Sequence, residues 1–372
     1  MRVVVAMSGG VDSSVAAGLM KEAGHDVIGL AMKTHGMEPK ANRACCTPDD
    51  MRDARTVADI LDVPFYLLPY ENVFAEAVIR PFAEAYLMGR TPNPCIECND
   101  KVKFKPLLER AKMLGADVLV TGHYAQISTD QGRRYLRRGS DQNKDQSYFL
   151  YRLSQDQLAR LEFPVGAMCK DEVREHASRL GLPVVANKHE SQEICFVGSR
   201  GYAATVEEIL GHGGLSGNFV NAAGEVLGKH SGIHHYTLGQ RRGLGLSASE
   251  PLYVLSIDAQ TGDVLVGPAS QLSVRFVDVD GLTWAGDIPE SGCVFLLQQR
   301  YRSKPFEVRL EWRTHERLRL HFLEERAPGA PGQAAVLYCE ERVVGGGVIC
   351  GDERSVVSEV ASNRLPIVNQ QV

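Results

Sequence analysis

The chain has 372 residues, with 41 lysines and arginines against 46 aspartates and glutamates and a formal net charge of -5. That length calls for two or three domains of ~100 to 200 residues each, and the acidic balance excludes a uniformly basic nucleic-acid binder, leaving nucleic-acid contact to local patches. No stretch approaches the roughly 18 apolar residues of a membrane span, and Met1-Arg2 leads into a strand pattern instead of a signal peptide, so a soluble, cytoplasmic protein without a membrane partner is expected.

The apolar run Val3 to Ala6 predicts a first strand and Ser14 to Ala23 a first helix. Between them stands Met7-Ser8-Gly9-Gly10-Val11-Asp12-Ser13. Glycines let the backbone take positive φ and approach an anion, while Ser8, Ser13 and the N–H groups of the coming helix offer donors, which together make a phosphate cradle. No Gly-Lys-Ser/Thr follows the glycines, and G-x-G-x-x-G is not present, so neither the Walker nor the dinucleotide pattern fits. The string resembles the SGGxDS loop of the ATP pyrophosphatase (PP-loop) superfamily, whose members cleave ATP between the α and β phosphates. Further strands are expected at Val27 to Met32, Phe65 to Pro69 and Val118 to Thr121, with helices at Met51 to Leu61, Phe104 to Leu114 and Lys170 to Leu180. That rhythm is a doubly wound, mostly parallel α/β sheet, which places ligands at the carboxyl ends of its strands.

Nine cysteines, an odd number in a long chain, read as thiols of a reducing compartment. In Thr91-Pro92-Asn93-Pro94-Cys95-Ile96-Glu97-Cys98-Asn99 the prolines suggest an extended turn that presents Cys95 and Cys98 on a loop before the helix near Lys103 to Pro106. Lys101, Lys103 and Lys105 close by favour the thiolate. The C-x-x-C spacing alone leaves a metal site, a redox pair and a catalytic pair open; zinc needs further ligands, and the adjacent Cys45 and Cys46 supply them poorly. Cys195, in Ile194-Cys195-Phe196-Val197-Gly198, sits where a strand pattern ends in a glycine turn. Beyond Arg200 the texture changes: residues 211 to 247 are rich in glycine and suit a small β module, and from Val274 to Gly351 period-two alternation predicts an antiparallel barrel or sandwich. The boundaries expected are 1–200, 201–271 and 272–361, with a tail at 362–372. Arg133, Arg134, Arg137 and Arg138 form one basic cluster, and Arg300, Arg302 and Lys304 another.

Several strings occur in one order: Thr-Pro-Asn-Pro-x-x-x-Cys-Asn, then Thr-Gly-His-Tyr-Ala at 121 to 125, Lys-Asp-Gln-Ser-Tyr-Phe-Leu at 144 to 150, Ile-Cys-Phe-Val-Gly at 194 to 198 and Tyr-Thr-x-Gly-Gln-Arg-Arg-Gly-Leu-Gly at 236 to 245. Together with the glycine loop they resemble the bacterial tRNA-specific 2-thiouridylases over essentially the whole chain. The resemblance implies an ATP-dependent transferase that adenylylates O2 of the wobble uridine of Lys, Glu and Gln tRNAs and replaces it with sulfur, using Mg²⁺. It implies ATP contacts at Ala6, Met7, Ser8, Gly9, Gly10, Val11, Asp12, Ser13, Met32 and Gly122, Cys98 as nucleophile and Cys195 as persulfide carrier. It places tRNA contacts at Asn93, Pro94, Cys95, His123, Lys144, Asp145, Gln146, Arg300, Tyr301 and Gln333. A sulfur donor, either a cysteine desulfurase or a persulfide relay protein, is implied as a partner, and the protein as a monomer. Cys95 stands where some members carry Asp, and a thiol is a weaker general base. Cys95, Cys98 and Cys195 are also the three thiolates that a [4Fe-4S] cluster with one open iron requires. An amidating ligase sharing the PP-loop and a non-catalytic RNA-binding protein are the competing readings.

Overall fold

The computed structural model describes residues 1–34, 47–186, 188 and 194–351. Cys45, Cys46 and the expected tail lie outside the described residues. Among the described residues no helix is long and apolar enough to cross a membrane.

Strand β1 (Arg2–Ala6) is followed by helix α1 (Val11–Glu22), β2 (Asp26–Lys33), α2 (Pro48–Ile60) and β3 (Phe65–Pro69). After a helical stretch come β4 (Val118–Thr121) and later the short β7 (Leu161–Glu162), and the sheet order is β3-β2-β1-β4-β7 with every pairing parallel. β1 is central, and its residues Val3, Val4 and Val5 are fully buried, Val3 and Val5 toward one core and Val4 toward the other. Such alternation with helices on both faces explains the unbroken valine run. The expected first helix starts three residues earlier than its apolar pattern, because Val11 already turns in and packs.

Between β4 and β7 the chain makes an antiparallel hairpin, β5 (Ala125–Asp130) and β6 (Arg133–Arg138). This hairpin leaves the parallel sheet and joins the C-terminal one. There, β12 (Val274–Trp284), β13 (Val294–Gln298), β14 (Phe306–Thr314), β15 (Arg317–Arg326), β16 (Ala334–Cys339) and β17 (Arg342–Ile349) pair in the order β12-β15-β14-β13-β16-β17, and β12 pairs again with β17 to close an antiparallel barrel. The period-two alternation is thus a barrel and not a sandwich, and Arg342 of β17 pairs with Arg137 of β6 to attach the hairpin. Three of the four arginines in the hairpin's cluster are ion-paired within the protein: Arg133 with Asp287, Arg134 with Glu162 and Arg138 with Asp145. Consecutive residues of a strand point to opposite faces, so these cations found different acidic partners on either side.

The middle module is a sheet of β8 (Gly217–Val220), β9 (Val226–His230), β10 (Tyr253–Ile257) and β11 (Val264–Gly267), ordered β10-β11-β8-β9. It is fastened to the first domain by the helix Gly201–Leu210: the buried His234 ring accepts from the Gly214 N–H at Nδ1 and meets Glu207 at Nε2, 2.9 Å away. Tyr202 of the same helix stacks on Tyr86, with centroids 4.7 Å apart.

Candidate active site

The glycine loop leaves β1 at its carboxyl end, beside the end of β4, where the sheet's connections diverge to opposite sides. Gly9 has φ +74°, and a Cβ there would overlap the Asp50 carbonyl of α2. Gly122 is pressed against the backbone of Asp12 and Ser13, which a side chain would likewise overlap. Inside the loop, the Ser8 N–H donates to Ser13 Oγ at 3.1 Å, and the Ser14 hydroxyl to the Gly10 carbonyl at 2.8 Å. Gly10 is the N-cap of α1 and supplies no side-chain cap, so the first N–H groups of a 12-residue helix are left for an external acceptor. A Cβ at Gly10 would meet nothing nearer than Ser8 Oγ, 3.7 Å away. An ATP phosphate chain fits this donor set. Ala6, Met7 and Met32 line the strand ends below it, Met7 and Met32 buried.

Asp12 is the acidic group of the loop, and its Oδ1 accepts from the Tyr124 hydroxyl at 2.7 Å and from Lys170 Nζ at 2.7 Å. Both donors take the same oxygen, so Oδ2 is the atom suited to Mg²⁺, which would neutralise phosphate charge. Lys170 opens the helix Lys170–Arg179, and its side chain is only 10% exposed. A second lysine, Lys188, donates to the Gly9 carbonyl at 3.0 Å and pairs with Asp50 and Asp53, and these carboxylates outweigh the cost of burial and raise its pKa. The sequence reading missed both lysines, because only the folded chain carries them to the loop.

Cys95 and Cys98 do not lie on a loop before a helix. Asn93 caps a helix that begins at Pro94, its side chain accepting the Ile96 N–H at 3.4 Å, and Pro94–Glu97, the wider π-helical turn Cys98–Phe104 and Lys105–Met113 run on as one helical rod. Pro106 explains the wide turn: it lacks an N–H and crowds the carbonyl four residues back, so the preceding residues open to a longer repeat. The same arrangement recurs at Ala75–Ile79, ahead of Pro81. One turn separates the two thiols, which places them on one helical face; Cys95 is exposed and Cys98 half-buried. The rod is held from outside. The Thr91 N–H donates to the Pro331 carbonyl at 2.7 Å, Gln333 donates to the Thr91 carbonyl at 2.8 Å, and Thr91 meets Thr237 of the middle module at 3.2 Å. Asn99, buried, donates to the Phe149 carbonyl at 3.2 Å, and Arg152 pairs with Glu97 at 2.7 Å.

Cys195 lies in a turn, with the Val197 N–H donating to the Ile194 carbonyl at 3.0 Å; the described residues here form no strand, contrary to the sequence pattern, because Phe196 drops into the core against Phe74 and Phe82. Cys98 and Cys195 both pack against one and the same hydrophobic cluster.

Residues 144–152 join the loop to the thiol helix. The Tyr124 N–H donates to Gln146 Oε1 at 2.9 Å, while Phe149 and Arg152 hold the helix. Asp145 is buried, accepting from the Gly139 and Ser147 N–H groups and pairing with Arg138 at 2.8 Å, so its carboxylate is spent inside the protein. Lys144 begins this segment. His123 packs between Phe104 and Phe163 and meets Thr121 at 2.7 Å; burial, aided by Lys103, pushes its pKa down to about 3, so the ring is neutral. Arg300 is exposed and donates to the Pro328 carbonyl at 3.1 Å, and the Tyr301 ring lies 4.4 Å from that of Phe149.

Three family profiles match most of the chain: "tRNA methyl transferase HUP domain" over residues 1–199, "tRNA methyl transferase PRC-barrel domain" over 204–268 and "Aminomethyltransferase beta-barrel domain" over 275–349. The chain is 47% identical over 355 residues to the tRNA-specific 2-thiouridylase MnmA of Geotalea uraniireducens, covering 94% of each chain. It is 46% identical to that of Geobacter metallireducens, covering 94% of this chain and 96% of the relative. Against the protein of the same name from Agrobacterium fabrum the identity is 44%, covering 98% and 95%.

Proposed function

We infer the reaction from one premise: the chain belongs to the tRNA-specific 2-thiouridylase family, and so is a tRNA sulfurtransferase. ATP binds on the loop Ser8 to Ser13, with Asp12 positioned to hold Mg²⁺, and the wobble uridine of Lys, Glu and Gln tRNAs enters unstacked, as RNA bases must to be worked on. Uracil O2 attacks the α phosphate and pyrophosphate leaves. The resulting AMP ester gives C2 a good leaving group. A persulfide on Cys195, loaded by a cysteine desulfurase or a relay protein, then attacks C2 through its terminal sulfur, and AMP departs carrying O2. The Cys98 thiolate attacks the Cys195 sulfur, breaking the S–S bond; the terminal sulfur stays on C2, and a reductant reopens the Cys98–Cys195 disulfide. Asn93, Pro94 and Cys95, which lead into the helix that carries Cys98, and Arg300, Tyr301 and Gln333 of the barrel would make the tRNA contacts.

The observation that carries this reading is the junction itself: one segment, 144–152, is bonded both to the Tyr124 that holds Asp12 and to the helix that carries Cys98. Cys95, one helical turn from Cys98, favours a second route in which a [4Fe-4S] cluster on Cys95, Cys98 and Cys195 delivers sulfide. Mass spectrometry of nucleosides separates them. Unmodified glutamate tRNA, ATP and Mg²⁺ with a desulfurase and cysteine should yield 2-thiouridine with wild type and with Cys95→Ser, and none with Cys195→Ser, while tRNA binding by Cys195→Ser stays intact. Product only after cluster reconstitution selects the cluster. No product under either condition overturns the assignment of this activity.

A further inference from the structure

In the reaction proposed above the middle module has no task, yet one of its loops presents charge close to the head of the thiol helix. Residues 236–245 lead toward β10, and Gln240 fixes their shape: its Oε1 accepts the Thr237 N–H at 3.0 Å and its Nε2 donates to the Arg242 carbonyl at 3.0 Å. The Gln240 carbonyl accepts the Val254 N–H at 3.0 Å, and Leu244 is buried in the module's core. Arg241 and Arg242, between these anchors, are exposed. A second loop stands beside the first. A Cβ on Gly239 would lie 3.8 Å from Nη2 of Arg300, which opens the exposed run Arg300, Arg302 and Lys304 between β13 and β14. That turn is equally firm, because the buried Gln298 donates to the Arg300 and Tyr301 carbonyls at 3.2 and 2.6 Å.

These cations have no acid of their own. Among the described residues none of Arg241, Arg242, Arg300, Arg302 and Lys304 pairs with a carboxylate, and Arg300 donates to the neutral Pro328 carbonyl at 3.1 Å. Elsewhere on the barrel Arg275 meets Glu325 at 2.9 Å, Arg313 meets Glu311 at 2.7 Å and Arg326 meets Glu324 at 3.2 Å. Like charges gathered on a chain of net charge -5, without counter-charge and on backbone already fixed, make a surface that gains most from an external polyanion. We propose that Arg241, Arg242, Arg300, Arg302 and Lys304 form one ledge that holds tRNA phosphates flanking the nucleotide under modification, with Arg241 and Arg242 as the middle module's share. Both loops touch the supports of the thiol helix: Thr237 meets Thr91 at its head, and Tyr301 lies against Phe149, whose carbonyl holds Asn99 beside Cys98. Contacts of this kind fix register without reading sequence. The inference rests on the reading that tRNA is worked on at Cys98.

The test is binding of unmodified glutamate tRNA by the full-length protein at several salt concentrations. Arg241→Gln/Arg242→Gln removes charge from an exposed loop without touching the core. It should weaken binding about ten-fold and flatten the plot of log K against log salt by roughly 1.4 to 1.8, the worth of two phosphate contacts. The KM for tRNA should rise in step while that for ATP holds. Arg241→Lys/Arg242→Lys keeps the charge and should keep the slope. Arg275→Gln/Arg313→Gln takes the same charge from paired positions and should leave the slope alone; an equal loss there would reduce the effect to net charge and overturn the proposal. So would an unmoved slope in Arg241→Gln/Arg242→Gln. Should tRNA binding hold in that variant while loading of Cys195 by a desulfurase slows, the ledge is a dock for the sulfur donor and the proposal is likewise overturned. The ledge and the reaction fail separately. A slope that falls in a protein making no 2-thiouridine keeps the ledge and removes the proposed function, whereas 2-thiouridine formed by the variant at the wild-type KM for tRNA removes the ledge and keeps the function.

Discussion

The phosphate loop and the thiol helix are both short segments behind a distinctive turn, yet they are held in opposite ways. The loop's inner bonds join Ser8 to Ser13 and Gly10 to Ser14, five and four positions apart, and its shape follows from glycines that no other residue can replace. Thr91, at the head of the thiol helix, is instead fixed by Pro331 and Gln333 of the barrel and by Thr237 of the middle module, and the helix body by Phe149 and Arg152. The loop takes its backbone shape chiefly from its own glycines and inner bonds, with Lys188, Tyr124 and Lys170 added from outside, whereas the thiol helix takes its position from the barrel, the middle module and segment 144–152. Nucleotide chemistry should therefore fail through changes in the loop, and sulfur chemistry through changes far from any cysteine.

The largest effect is expected at Gly9→Ala. The added Cβ meets the Asp50 carbonyl, which is backbone and cannot swing aside, and the φ of +74° is itself unfavourable for alanine. A loop displaced by even about 1 Å should cost roughly 100-fold in pyrophosphate release, while the alkylation rate of Cys98 stays at the wild-type value. If Cys98 reactivity falls in step, the two regions are one unit and the contrast is wrong.

Gln333→Ala probes the other side. Its amide bonds the Thr91 carbonyl at 2.8 Å across the domain junction, and removal should destabilise by about 1 kcal/mol, the net worth of a hydrogen bond. The head of the thiol helix should loosen, lowering the rate of 2-thiouridine formation about ten-fold with the KM for ATP unchanged. A raised KM for ATP would carry the junction's influence into the phosphate loop.

How much of this was legible in the sequence follows the same division. The loop declared itself because Ser-Gly-Gly-x-Asp-Ser joins a strand pattern to a helix pattern, and the parallel sheet followed from valine runs at regular spacing. The barrel's period-two alternation was equally local. The hairpin Ala125–Arg138 was not read as part of the barrel, since nothing in its own residues names a partner two hundred positions away, and the acidic partners of its arginines, Asp287, Glu162 and Asp145, are equally invisible in its own sequence. Lys170, Lys188 and Arg152 escaped for the same reason: an isolated lysine or arginine carries no pattern. Pro106 was a sign that could have been used, because a proline early in a helix widens the turn before it, and that turn holds Cys98.

His123 stands between the two regions, bonded to Thr121 beside the loop and packed against Phe104 of the helical rod, so its titration reports on their contact. Its pKa is about 3 in the folded protein, chiefly through burial, against roughly 6.5 when unfolded. Between these values the unfolded chain takes up a proton that the folded one refuses, so stability contributed by the neutral ring is complete above pH 6.5 and is lost as pH falls toward 3. The slope from this group is at most about 1.4 kcal/mol per pH unit. Urea unfolding at pH 6.5, 5.5 and 4.5 should show wild type losing stability more steeply than His123→Gln. That difference isolates one imidazole from the carboxylates that titrate in both proteins. Parallel slopes would mean that the ring protonates in place, which requires water between the rod and the end of β4, and the loop and the thiol helix would then be separable at the very point where they touch.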